Sequence, residues 1–172
     1  KDLMGDSVTP RQLDWLGIYT VRINALLLLT LFNDMAFPEV INNFKAAPEK
    51  IMEYPIVIGG AEEPGSSTDF DAVLAAEFYG SKVLINLSNV DYLYDKDPKV
   101  FPDATALVDL KWNKVLTMFD ATWRPGMNRP FDPVASQKAS DLNLKVIIAN
   151  GRNLENLNNI IDGKSYIGTT IS

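Results

Sequence analysis

The chain has 172 residues, no cysteine, no histidine, and 22 acidic against 16 basic side chains, for a formal net charge of −6. That length sustains one domain with its own core, and the single domain is expected to run over residues 1–172. The composition excludes disulfides, thiolate and imidazole metal sites and a histidine general base, and it argues against a nucleic-acid binder, whose contact face is basic. Small phosphorylated ligands stay open, because backbone N–H groups and magnesium can hold their phosphates. The longest apolar run, residues 25–29, is far shorter than a bilayer span, so no membrane partner is expected and the reading is cytoplasmic.

Along the chain, Thr9-Pro10-Arg11-Gln12 is a helix start: Thr9 caps, Pro10 suits the first helical position and Gln12 closes a capping box. A long helix is predicted to about Asn33, with its Leu26-to-Leu31 portion buried. Residues 38–53 read as short helical or irregular structure leading to a strand at 55–58. A Gly/Ser-rich loop follows, then a helix over about 68–78 and a strand over 82–88. Residues 89–102 read as an acidic loop, 111–118 as a helix, and Asp132-Pro133 as the capped start of a helix to Asp141. A strand at 145–149, a helix at 153–161 and a closing strand at 166–171 complete the series. Short apolar strands alternating with helices predict an α/β fold with a parallel sheet covered on both faces, and ligands belong in the βα loops.

Four segments could carry chemistry. Residues 59–69, Gly-Gly-Ala-Glu-Glu-Pro-Gly-Ser-Ser-Thr-Asp, follow an apolar run and open a helix, which suits a phosphate; the same residues also make an ordinary turn and cap. Residues 89–98, Asn-Val-Asp-Tyr-Leu-Tyr-Asp-Lys-Asp-Pro, put carboxylates beside flat rings, as a nucleoside would require; they also suit a solvated acidic turn. On the first helix, Asp14 and Gly17 share a face. Gly17 costs about 1 kcal/mol relative to Ala there, which calls for close packing or an approaching ligand, while Arg22 either snorkels or pairs with an acid. Residues 123–135 read as an ordered Arg/Pro-rich loop, suited to lie over a site or to serve only as a structural connection ending in the Asp132 cap.

The order of these segments resembles the uridylate (UMP) kinases of the amino-acid-kinase superfamily, in an archaeal-type flavour. The stretch Leu-Asp-Trp-Leu-Gly-Ile-Tyr-Thr-Val-Arg-Ile-Asn-Ala at 13–25 is similar to the helix carrying the UMP-binding Asp. Gly59-Gly60 through Ser67-Thr68-Asp69 resembles the family segment ending in Thr-Thr-Asp, and residues 89–98 resemble its Val-Asp-Gly-Val-Tyr-x-x-Asp-Pro loop. Phe131-Asp132-Pro133 and Gly168-Thr169 also have counterparts.

The resemblance implies a three-layer α/β/α sandwich with a mainly parallel sheet, transfer of the ATP γ-phosphate to UMP, Mg²⁺ carried with ATP, and a homohexamer. It implies UMP contacts from Asp14, Gly60, Ser67 and Thr68, ATP contacts from Asn89, Tyr94 and Asp97, and a catalytic role for Asp69 in orienting lysines. It assigns no metal ligand; Asp132 is a further carry-over. Another kinase of the superfamily, or a non-enzymatic nucleotide- or oxyanion-binding storage protein on the same scaffold, is the alternative.

Two departures stand out: Tyr92 replaces the family's Gly, and Ala61-Glu62-Glu63 replaces a less acidic stretch. The family's first strand, its Lys-x-x-Gly loop and a second Gly-rich loop have no counterpart here. The expectation is a truncated enzyme that is inactive alone.

Overall fold

The computed structural model describes residues 8–96, 98, 100–118 and 131–172. The described residues up to Gly80 form one compact unit, and those from Ser81 onward form a second.

In unit 1, α1 (Pro10–Leu31) starts as the sequence predicts. The Thr9 hydroxyl accepts the Gln12 amide, and the Gln12 side chain accepts the Thr9 amide at 2.9 Å. The helix is about 33 Å long, and by length and composition it could cross a membrane. Its buried residues are Ile18 and Ala25, seven positions apart. The expectation of burial at Leu26 to Leu31 fails: Leu26, Leu27, Leu28 and Leu31 are 56%, 59%, 45% and 68% exposed. Leu29, in line with Ile18 and Ala25, is half-buried, while these four leucines face outward.

The strand expected at 55–58 is reduced to two isolated parallel bridges, Ala36 with Ile56 and Ile41 with Gly59. Phe37 N donates to Ile56 O and Ile41 N to Ile58 O, both at 2.9 Å. Pro38 lies between these two donors and has no N–H, which breaks the ladder. Two 3₁₀ turns (Phe44–Ala46 and Glu49–Glu53) connect the halves. Helix α2 (Thr68–Tyr79) then packs Leu74, Ala75, Phe78 and Tyr79 onto buried Phe37, Ile41, Phe44 and Ile51.

Unit 2 contains β1 (Val83–Ser88), β2 (Leu93–Tyr94), β3 (Ala106–Leu107), β4 (Asp109–Leu110), α3 (Trp112–Met118), α4 (Pro133–Asp141), β5 (Lys145–Asn150), α5 (Leu154–Ile161) and β6 (Thr169–Ile171). Its main sheet runs β1-β5-β6-β4. β1 and β5 are parallel, from Val83 opposite Lys145 to Ser88 opposite Asn150. β4 and β6 are also parallel, while β6 runs antiparallel to β5, so the sheet is mixed.

β5 is buried continuously from Val146 to Ala149, as expected of a central strand covered on both faces. Ile147 and Ala149 meet Ile160 of α5, with Ile85 and Tyr166 packed against them. Trp112 anchors α3 by donating its indole N–H to Leu144 O at 2.9 Å. β2 lies inside the loop expected at 89–102, and it pairs antiparallel with β3, which lies beyond that loop where no element was expected.

Candidate functional site

The predicted site residues fall into two groups. Asp14, Gly60, Ser67, Thr68 and Asp69 lie in unit 1; Asn89 and Tyr94 lie in unit 2. Asp97 and residues 123–130 of the Arg/Pro-rich connection lie outside the described residues.

The unit 1 loop is tied on several sides. Gly60 is buried, and its N–H donates to Ile41 O at 2.9 Å. A Cβ at Gly60 would fall 2.2 Å from Asn42 Oδ1 and 3.1 Å from Val40 Cγ1, so a larger residue requires the Asn42 side chain to move. From α1, Arg22 donates Nε to Ala61 O at 2.9 Å and Nη2 to Glu62 O at 2.6 Å. Its guanidinium carbon is 5.7 Å from the centre of the Tyr19 ring. Arg22 therefore neither snorkels freely nor pairs with an acid among the described residues.

Asn43 donates Nδ2 to Glu62 Oε1 at 2.5 Å while its own Oδ1 accepts the Lys45 amide. This contact fixes the position of the Glu62 carboxylate with a neutral amide and leaves its negative charge in place.

Ser67 is the N-cap of α2, its hydroxyl accepting the Phe70 amide at 3.2 Å. The amides of Thr68 and Asp69 head that helix, and Thr68 is exposed. Asp69 and Asp71 place negative charge in the first turn, where the helix dipole favours it. Burial is the main cause that holds the Asp71 carboxyl above its ordinary pKa; nearby Glu62 adds to the rise, and a hydrogen bond from Ser66 opposes it. Asp14 is half-buried on α1. The close packing expected at Gly17 is not found, since a Cβ there would meet nothing within 4 Å.

In unit 2 the second loop is held from the C-terminal strand. The Thr169 hydroxyl accepts the Leu93 amide at 2.8 Å and donates to Leu107 O at 2.5 Å, joining both strands of the small β2–β3 pair. Gly168 must be small, because a Cβ would sit 2.8 Å from Ile148 O. Asn150, at the end of β5, donates Nδ2 to Asp91 Oδ1 at 2.9 Å. Asp95 closes the turn by accepting the Thr105 amide at 2.8 Å.

Leu93 is buried, so alternation along the chain leaves its neighbours Tyr92 and Tyr94 half-buried, with their rings edge to face at 6.4 Å. Asn89 is exposed. Tyr92 needs no unusual backbone: among the described residues the only non-glycine with positive φ is Asn143. Asp132 is a buried helix cap, its Oδ1 accepting the Ala135 amide at 2.8 Å.

Arg22, Asn43, Asn150 and the Thr169 hydroxyl hold these loops. The sequence offered signals for three of them: Arg22 and Thr169 lie in segments that resemble the family, and Asn150 ends a parallel strand, at the edge where ligand loops gather.

Residues 6–150 match the amino acid kinase family model. Uridylate kinase of Methanobrevibacter smithii is 35% identical over 161 residues, covering 93% of this chain and 71% of that protein. Uridylate kinase of Methanothermobacter thermautotrophicus is 36% identical over 159 residues, covering 92% and 70%. Among solved structures, uridylate kinase of Archaeoglobus fulgidus superposes with a TM-score of 0.81 at 30% identity, over 96% of this chain and 74% of that one. UMP kinase of Bacillus anthracis superposes with a TM-score of 0.75 at 22% identity, over 99% and 72%, a likeness of fold. This chain belongs to the amino acid kinase family, among its uridylate kinases.

Proposed function

We propose that the protein transfers the γ-phosphate of ATP to UMP, with the unit 1 loop serving UMP and the unit 2 loop serving ATP. The observation that carries this reading is the similarity to uridylate kinases over more than nine-tenths of the chain, both loops included. A UMP phosphate oxygen is already anionic, so it attacks phosphorus in line without a general base, in keeping with a chain that has no histidine.

Asp14 binds the ribose or uracil side of UMP, and the open space beside Gly17 suits an approaching ligand. Gly60, Ser67 and Thr68 serve the phosphate end, and Asp69 orients lysines. Asn89, Tyr94 and Asp97 surround the adenosine, with Tyr94 offering a ring face. Among the described residues no group of three or more acidic side chains could hold a metal. Magnesium keeps several waters and needs few carboxylates, so it would be carried on the ATP phosphates. Bound there, it neutralises charge on the transferring group. The enzyme works in the cytoplasm.

The exposed leucines of α1, with Ile23 at 66% exposure, supply the contact of a homo-oligomer, since large contiguous apolar patches are uncommon on monomers.

Calorimetric titration of the chain with UMP, CMP, glutamate and carbamate, and separately with Mg-ATP, tests the reading. UMP and Mg-ATP should each bind at one site, and coupled ADP release by the complete gene product should require UMP. Preference for another acceptor would replace this proposal with a different kinase of the family.

A further inference from the structure

Arg22 sits on a helix 39 residues away from the carbonyl it meets. Its bonds have a directional consequence. In a trans peptide the N–H points opposite to the C=O before it. With the carbonyls of Ala61 and Glu62 turned toward Arg22, the amides of Glu62 and Glu63 are turned away from it. Neither amide donates to a protein acceptor among the described residues. Two successive N–H groups turned to one side make a small anion-binding concavity.

Arg22 also keeps its charge. It is half-buried, it meets two carbonyls and the Tyr19 ring, and no carboxylate neutralises it among the described residues. The Glu62 carboxylate is held by Asn43 rather than by Arg22.

We propose that Arg22 is a positioning residue for UMP: its planar fork fixes the backbone of residues 61–63 so that the Glu62 and Glu63 amides face the phosphate of the nucleotide. This rests on the functional reading above. Arg22 touches the loop and not the substrate, and its effect passes through the peptide planes it orients. A lysine at this position would keep the charge but could not bridge two consecutive carbonyls with a rigid pair of donors.

The test compares the unsubstituted chain with Arg22→Met and Arg22→Lys. It measures UMP and Mg-ATP affinity by calorimetry, amide hydrogen exchange at residues 60–63, and the urea midpoint. Arg22→Met should weaken UMP by about tenfold or more, leave Mg-ATP within about twofold, and speed exchange at Glu62 and Glu63. Arg22→Lys should recover less than half of that loss on a logarithmic scale. Unchanged UMP affinity in Arg22→Met would overturn the assignment. So would full recovery in Arg22→Lys, which would mean that charge alone suffices. Equal weakening of both nucleotides in step with a lowered urea midpoint would mark a general structural role and also overturn it. If the unsubstituted chain binds no UMP in the same titration, the functional reading fails first and takes this assignment with it.

Discussion

The loop at residues 59–68 and the loop at residues 89–95 are held by different devices. In unit 1 the strand pairing shrinks to two bridges, and side chains take over: Arg22 grips two carbonyls and Asn43 grips Glu62. In unit 2 a six-residue parallel pair, β1 with β5, supplies the frame, and one threonine on the last strand ties the loop to it. A loop held by a sheet depends on the core beneath it, whereas a loop held by exposed or half-buried side chains can be altered with little effect on the core.

Core truncation should expose that difference most strongly. Ile148 is fully buried in the central strand, and Ile148→Ala should cost about 2–5 kcal/mol of stability in urea denaturation. Because β5 also carries Asn150, Mg-ATP binding should fall with it. Thr169→Val comes next. It keeps the shape but removes the partner of a buried amide and a carbonyl, so the expected cost is about 1–3 kcal/mol, with Mg-ATP weakened and UMP unaffected.

Gly60→Ala tests the other loop. The new methyl must displace the Asn42 side chain, at about 1–2 kcal/mol, and calorimetry should show UMP weakened while Mg-ATP stays unchanged. If both substitutions affected both nucleotides alike, the division of labour between the loops would be wrong.

The legible parts of this fold were the local ones. Thr9-Pro10 with Gln12 and Asp132-Pro133 announced their helices because each cap is completed within three residues. β5 was legible because burial on both faces leaves a continuous apolar run, whereas β1, exposed at Val83 and Leu87, was legible from its Val83-Leu84-Ile85 run alone. The two-residue strands β2, β3 and β4 are too short to show a period. Nor could periodicity show that Pro38 would cut the pairing of 55–58, or that the α1 leucines would face outward. The candidate site followed the same rule. Its loops could be found from Gly, Asp and Tyr clusters. The contacts that fix them could not, because Thr169 and Leu93 are 76 positions apart and Asn150 and Asp91 are 59 apart.

The smallest expected effect concerns charge at the start of α2. Burial, reinforced by Glu62, raises the Asp71 pKa, so the fold favours the protonated acid relative to the unfolded chain. A raised carboxyl pKa contributes stability that is complete below the unfolded value and is lost as pH rises through the folded one. At neutral pH the ionised group is therefore a mild liability. Asp71→Asn removes that charge and still offers an oxygen to the Ser66 hydroxyl, while giving up a favourable interaction with the helix dipole. The net gain near neutrality should stay below about 1 kcal/mol and shrink to nothing as the pH is lowered to where Asp71 is protonated in both states. Thermal melts of the two proteins from pH 3 to pH 8 check it: parallel curves would mean that the Asp71 charge has no bearing on the loop, and a gain that grows toward acid would reverse the sign argued here.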